Sequence, residues 1–203
     1  MKKIIGIIVF LGIGSMTFSH EGWLSFNAGY GNYFENNSEK SIYTGSPGFD
    51  FYQYHFWNNF GFFIDLSFSI PVIVNDDRYT YYFQFGNIVG PAFKINITER
   101  MKMKWGLGFS YQIIVGEYNG YSLTNFNSGI GGDVNFTYIL NKLVYINIGT
   151  IVNYHFGNVA TTGTGTYYYN EDGDREENEI VEWTKNYSMI GLRPYIGIGL
   201  LLK

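Results

Sequence analysis

The sequence predicts an all-β fold: an eight-stranded, antiparallel, up-and-down β-barrel that crosses a membrane, preceded by a cleaved export signal. Three observations carry that expectation. Apolar residues recur with a period of two over segments of about ten residues or more, the length a tilted strand needs to cross a bilayer. Charged residues are scarce, at 15%, whereas aromatic residues reach 20%; ordinary soluble domains carry about 25% charge. Mean hydropathy is nonetheless only −0.07. That value excludes a bundle of membrane helices and fits strands in which each apolar residue has a polar neighbour.

The N-terminus reads as an export signal over residues 1–19, with the barrel over 20–203. Lys2 and Lys3 form a positive start, Ile4 to Ile13 a short apolar run, and Gly14, Ser15, Thr17 and Ser19 supply the small residues a signal peptidase accepts, with cleavage expected after Ser19. The run is too short to span a bilayer as a helix, which takes about 20 apolar residues. Cleavage takes Lys and Arg from 13 to 11 against 17 Asp and Glu, a net charge of −6. Such a balance excludes a nucleic-acid partner, which calls for a basic face. With no cysteine in the chain, disulfides, thiol catalysis and Cys-based zinc sites are excluded too.

The clearest strand is Phe60 to Ile70. Phe60, Phe62, Ile64, Leu66, Phe68 and Ile70 share one face, while Gly61, Phe63, Asp65, Ser67 and Ser69 share the other. Met101 to Ile113 repeats the pattern, Met101, Met103, Trp105, Leu107 and Phe109 opposing Lys102, Lys104, Gly106, Gly108 and Ser110. Trp23 to Tyr33, Ser128 to Ile139, Val144 to Phe156 and Thr184 to Leu202 alternate likewise. In Gly48 to Trp57, Tyr52, Tyr54 and Phe56 oppose Gln53 and His55, and the apolar set is expected on the outside. Tyr81 to Ile95 puts Phe83, Phe85, Val89 and Phe93 outward, and Pro91 suggests a bulge.

Short connections at Trp57 to Asn59, Asn96 to Arg100 and Leu140 to Lys142 alternate with longer ones at Phe34 to Pro47, Pro71 to Tyr79, Ile114 to Asn127 and Gly157 to Trp183. Outer-membrane barrels alternate periplasmic turns and external loops in this way. A soluble barrel would turn its apolar face inward and show charge outside. Here the polar face is made of Gly, Ser, Asn and Gln, a poor solvent surface, so the apolar face is expected to meet lipid.

On these features the chain resembles the small eight-stranded outer-membrane barrel proteins (the OmpA transmembrane domain, OmpX and OmpW). The stretch Ser46 to Phe49, Phe56 to Phe62, then Ser67, Phe68 and Pro71 also resembles a hairpin of small spirochaetal barrels. The likeness implies residence in the bacterial outer membrane, a monomeric barrel and contact with outer-membrane lipid. One departure is the end of the chain, Leu201-Leu202-Lys203, where such barrels typically carry an aromatic residue.

Asp65, Lys94, Lys102, Lys104, Asp133 and Arg193 are expected to point inward, joined by His55 and His155. Asp65, Lys104, Asp133 and Arg193 fall at comparable heights. They form either a structural plug or a gate, and the narrow bore of eight strands favours the plug. In the last long loop, Tyr167, Tyr168 and Tyr169 precede a run of acids that includes Asp172 and Asp174. Dense carboxylates can hold calcium, but Tyr168 stands where a calcium loop needs its first ligand, so the segment reads as a solvated contact loop. No metal or cofactor is expected. No Ser or Thr motif accompanies the histidines, so no catalytic site is expected either. The function expected is non-enzymatic: a barrel displaying external loops for surface interaction, including adhesion to a host or cell-surface ligand. The alternative is a narrow conduit for small or hydrophobic solutes.

Overall fold

The computed structural model describes residues 21–36, 41–77, 79–118, 121–162 and 188–202, with the short pieces 168–169, 175–176 and 182–183. The expected export signal lies outside the described residues, as do Tyr167, Asp172 and Asp174 of the expected contact loop. Eight long strands make the wall: β1 (Glu21–Asn36), β2 (Ser41–Trp57), β3 (Phe60–Ser69), β4 (Tyr79–Asn96), β5 (Met101–Tyr118), β6 (Tyr121–Ile139), β7 (Val144–Thr162) and β8 (Ser188–Leu202). Each pairs antiparallel with its sequence neighbours. The β1–β8 ladder, from Gly22↔Leu202 to Asn36↔Ser188, closes the sheet on itself. Closure leaves no edge within the lipid, and every wall strand finds both of its hydrogen-bonding partners.

The turns at the end bearing Glu21 and Leu202 are made by local side chains. Asn58 takes a left-handed φ of 64°, a region that asparagine tolerates, and so lets Trp57 pair with Phe60. Thr98 Oγ1 accepts from the Met101 amide at 3.0 Å. Asn141 Oδ1 accepts from the Leu143 and Val144 amides at 2.8 and 2.9 Å. Each device satisfies backbone donors that a tight turn leaves unpaired.

Outward side chains form an apolar band, with Phe26, Leu107, Phe109, Ile130, Ile148 and Ile196 all exposed. A continuous apolar belt of this extent is the surface of a protein that lives in lipid. Aromatic rings mark its two rims. Phe60, Phe93 and Trp105 run in contact around the lower rim, at centroid distances of 5.2 and 4.4 Å. Phe34 with Tyr43, Phe68 with Phe83, and Tyr154 with Phe156 lie toward the opposite rim.

Three expectations are corrected. The segments 34–47 and 114–127 are largely strand rather than loop, since the β1–β2 ladder runs to Asn36↔Ser41 and the β5–β6 ladder to Tyr118↔Tyr121. Beyond the lipid band the apolar side chains change face. Tyr33, Ile42, Tyr81, Ile114, Leu123 and Met189 point inward and pack together, so the pattern of apolar outside and polar inside lapses while the strands continue. Pro91 marks no bulge either. Its register against β3 is unbroken, and the shifts fall at Tyr81/Phe83 and Ser128/Gly129. Finally, β2 has the opposite facing to the one expected: Tyr52, Tyr54 and Phe56 lie opposite Ser25, Trp23 and Glu21 on the lumen face.

The Asn58 conformation gives a direct test. Asn58→Gly should keep the barrel's stability, whereas Asn58→Ala should lower it by about 1 kcal/mol, the cost of a left-handed alanine. Urea unfolding in lipid vesicles measures both, and equal midpoints for the two variants would contradict the turn assignment.

Candidate functional site in the barrel lumen

The lumen is filled in layers. At the lower mouth Lys94 pairs with Glu21, and its ammonium lies 5.1 Å from the centre of the Phe56 ring. Lys102 is tied instead to the Thr98 carbonyl, at 3.0 Å.

One layer up, Lys104 is completely buried. Its Nζ stands over the rings of Trp23, Tyr145 and Tyr54 at 4.3, 4.7 and 4.9 Å. Three ring faces turned on one cation form an aromatic cage, in which the ring quadrupoles replace part of the lost hydration. Trp23 and Tyr145 meet edge to face at 4.9 Å, and the Tyr145 hydroxyl donates to the Leu24 carbonyl at 2.8 Å. Gly199 makes room for this cage, since a Cβ there would sit 2.2 Å from the Tyr145 ring.

Asp133 anchors the next layer. Its carboxylate accepts from the hydroxyls of Tyr195 at 2.7 Å, Tyr52 at 3.4 Å and Tyr54, and from Asn135 Nδ2 at 3.0 Å. Thr137 in turn donates to Asn135 Oδ1 at 3.1 Å. A buried carboxylate that accepts this many donors is solvated by the protein itself. The rings pack as well: Tyr52 lies tilted against Tyr195 at 5.3 Å, and Tyr54 is stacked on Phe63 at 5.6 Å.

Above it Arg193 meets Asp50 at 3.0 Å, and Asp65, one strand over, lies in the field of the same guanidinium. Higher still, Gln84 Oε1 accepts from the Ser69 hydroxyl at 3.2 Å, and Ser110 Oγ lies 3.0 Å from His155 Nε2. The inward apolar cluster around Ile42 and Ile114 lies beyond these layers, toward the outer mouth.

Of the residues expected inside, Asp65, Lys104, Asp133, Arg193 and His155 do line the lumen, spread over adjoining layers rather than one. His55 does not. It shares the outward face with Gly22 and Phe62, and stacks on the Phe62 ring at 4.7 Å. Tyr168 and Tyr169 pair with Glu176 and Arg175 in a short hairpin. Sequence reasoning missed Asp50, Glu21 and the aromatic lining. Asp50 was the available signal: it shares parity with Tyr52, Tyr54 and Phe56, and a carboxylate on the lipid face costs more than rings in the lumen. Among the described residues, no group of three or more metal-ligating side chains is placed to hold a metal. Ser110 and His155 are both buried in the uppermost polar layer.

No protein-family model matches this chain, and no curated protein does either. Solved structures do. The outer membrane protein OprG from Pseudomonas aeruginosa superposes with a TM-score of 0.56 at 12% identity, over 91% of this chain and 98% of that one. Neisserial surface protein A superposes with a TM-score of 0.54 at 12% identity, over 87% and 96%. The fold is that of the small eight-stranded outer-membrane barrels. At such identity the likeness is one of fold, and the lumen layers described above are argued from this chain's own residues.

The layers make unequal demands on stability. Asp133→Ala strands three buried phenol groups and the Asn135 amide, and should cost about 3 kcal/mol or more. Lys104→Met keeps the stem in its cage and leaves Asp133 with its four donors, so it should cost much less. Urea titration in vesicles separates the two, and the reverse order would contradict the central place of Asp133.

Proposed function

We propose that this outer-membrane barrel is a non-conducting, non-enzymatic anchor that presents the far ends of its strands for contact with a host or cell-surface ligand. The observation that supports the reading is the inward apolar cluster of Tyr33, Ile42, Tyr81, Ile114, Leu123 and Met189. It continues the wall beyond the lipid band as a packed platform rather than a set of loose loops. Rigid display lowers the ordering cost of binding. The platform carries exposed polar and aromatic side chains, among them Asn75, Asp77, Thr80, Tyr82 and Ser122, and the sequence adds the long segment that holds Tyr167, Tyr168 and Tyr169. Tyrosine suits such a role because it offers much contact area at low entropic cost. The paired charges and stacked rings that fill the layers below support a non-conducting reading.

Two measurements test this reading, one on protein purified from membranes and one on whole cells. In planar bilayers the wild type should be silent, while Arg193→Ala, which strands Asp50 and Asp65, should leak. Cells displaying the protein should bind their target surface and lose that binding when external protease trims the loops. Discrete wild-type channels would favour the conduit instead, and surface binding that survives proteolysis would overturn the display role.

A further inference from the structure

The lipid-facing wall holds a groove of about 290 Å³ on β5 to β8, lined by Met101, Phe136, Tyr138, Ile146, Ile148 and Ile196. Its shape follows from the cross-strand rows. Phe136, Ile148 and Ile196 form one row, and Met101, Tyr138 and Ile146 the next. The rings of β6 stand along one side, Ile196 stands on the other, and the shorter isoleucines of β7 form the floor. A uniform belt would need no such recess to hold bulk lipid.

Charge collects directly below it. The groove ends at the turns joining β4 to β5 and β6 to β7, which are themselves tied together because the Ile139 amide donates to the Arg100 carbonyl at 2.8 Å. Arg100 and Lys142 stand exposed on these two turns, and Glu99 is the one acid in them. Lys102 is drawn away to the Thr98 carbonyl. The remaining short turn, at Asn58 and Asn59, carries no charge. Short turns and termini face the periplasm in barrels of this type, so the two cations lie at the headgroup level of the inner leaflet. Cations at that level attract anionic lipid.

We propose that this recess is a binding site for one anionic phospholipid of the periplasmic leaflet. An acyl chain lies along Ile146 and Ile148, and the phosphate sits between Arg100 and Lys142. The site is at the opposite end from the displayed platform and does not depend on it. Neither half suffices alone: the groove accepts any chain, and the cations select the headgroup.

Native mass spectrometry tests it on protein extracted from membranes into micelles holding phosphatidylglycerol and phosphatidylcholine with identical chains. The wild type should retain phosphatidylglycerol over phosphatidylcholine by roughly thirtyfold, the scale expected for two interfacial cations. Arg100→Gln with Lys142→Gln should bring that ratio close to one. Ile148→Trp, which fills the floor while leaving both cations, should also cut retention several-fold. Heat-dependent gel mobility confirms that each variant is a folded barrel. Equal retention of the two lipids by the wild type, or an unchanged preference in the double variant, would overturn the site. Undiminished retention in Ile148→Trp would overturn the place assigned to the chain.

Discussion

A charge inside a narrow barrel surrounded by lipid persists only beside partners that replace its hydration. In this protein that constraint organises the whole lumen. Asp133 gathers three phenols and an amide, Arg193 takes Asp50, Lys94 takes Glu21, and Lys104 is held by ring faces. The partners come from strands distant in sequence: Asp133 lies on β6, its tyrosines on β2 and β8. The contacts of Asp133 with Tyr52 and Tyr54 therefore tie opposite walls of the cylinder together as well as satisfying a charge.

The barrel consequently has two cores with opposite logic. Within the lipid band the outer face is apolar and the lumen carries the charges, so cohesion inside comes from hydrogen bonds and cation–ring contacts. Beyond the band the outside meets water, and the inside reverts to the apolar packing of a soluble protein. Ile42, Ile114 and Met189 belong to that second regime. Trp23, Tyr145 and Phe63 occupy an intermediate position, apolar bodies packed under and around the charged layers. Glycines on the lumen face give these rings their room. At Gly149 a Cβ would lie 2.5 Å from the Tyr195 hydroxyl.

Much of this was legible in the sequence wherever one face was plainly richer in charge. Asp65, Lys104, Asp133 and Arg193 each mark the inward parity of their strand, and β3, β5, β6 and β8 follow from them. β2 was misread because its lumen face is itself aromatic, so Tyr52, Tyr54 and Phe56 imitate a lipid face while Gln53 and His55 imitate a lumen. The strand extensions were hidden for a related reason: the exchange of faces near Ile42 and Ile114 cancels the amphipathic signal without ending the ladder. Which partners each charge takes depends on register between strands far apart in the chain, and no local pattern encodes that.

The central claim is that the polar layers lie sealed between the aromatic cage below and the apolar cluster above. The chain has no native cysteine, so a single Ser69→Cys substitution reports on the lumen directly. Ser69 is 2% exposed and sits between the two seals, while Ser122→Cys on the exposed platform serves as the reactive control. Sealed layers predict that a small charged thiol reagent labels the Cys replacing Ser122 promptly, and leaves the one replacing Ser69 unmodified from either side of the membrane until the barrel unfolds. Prompt labelling at position 69 in the folded protein would mean that water reaches the polar layers, and would contradict the seal.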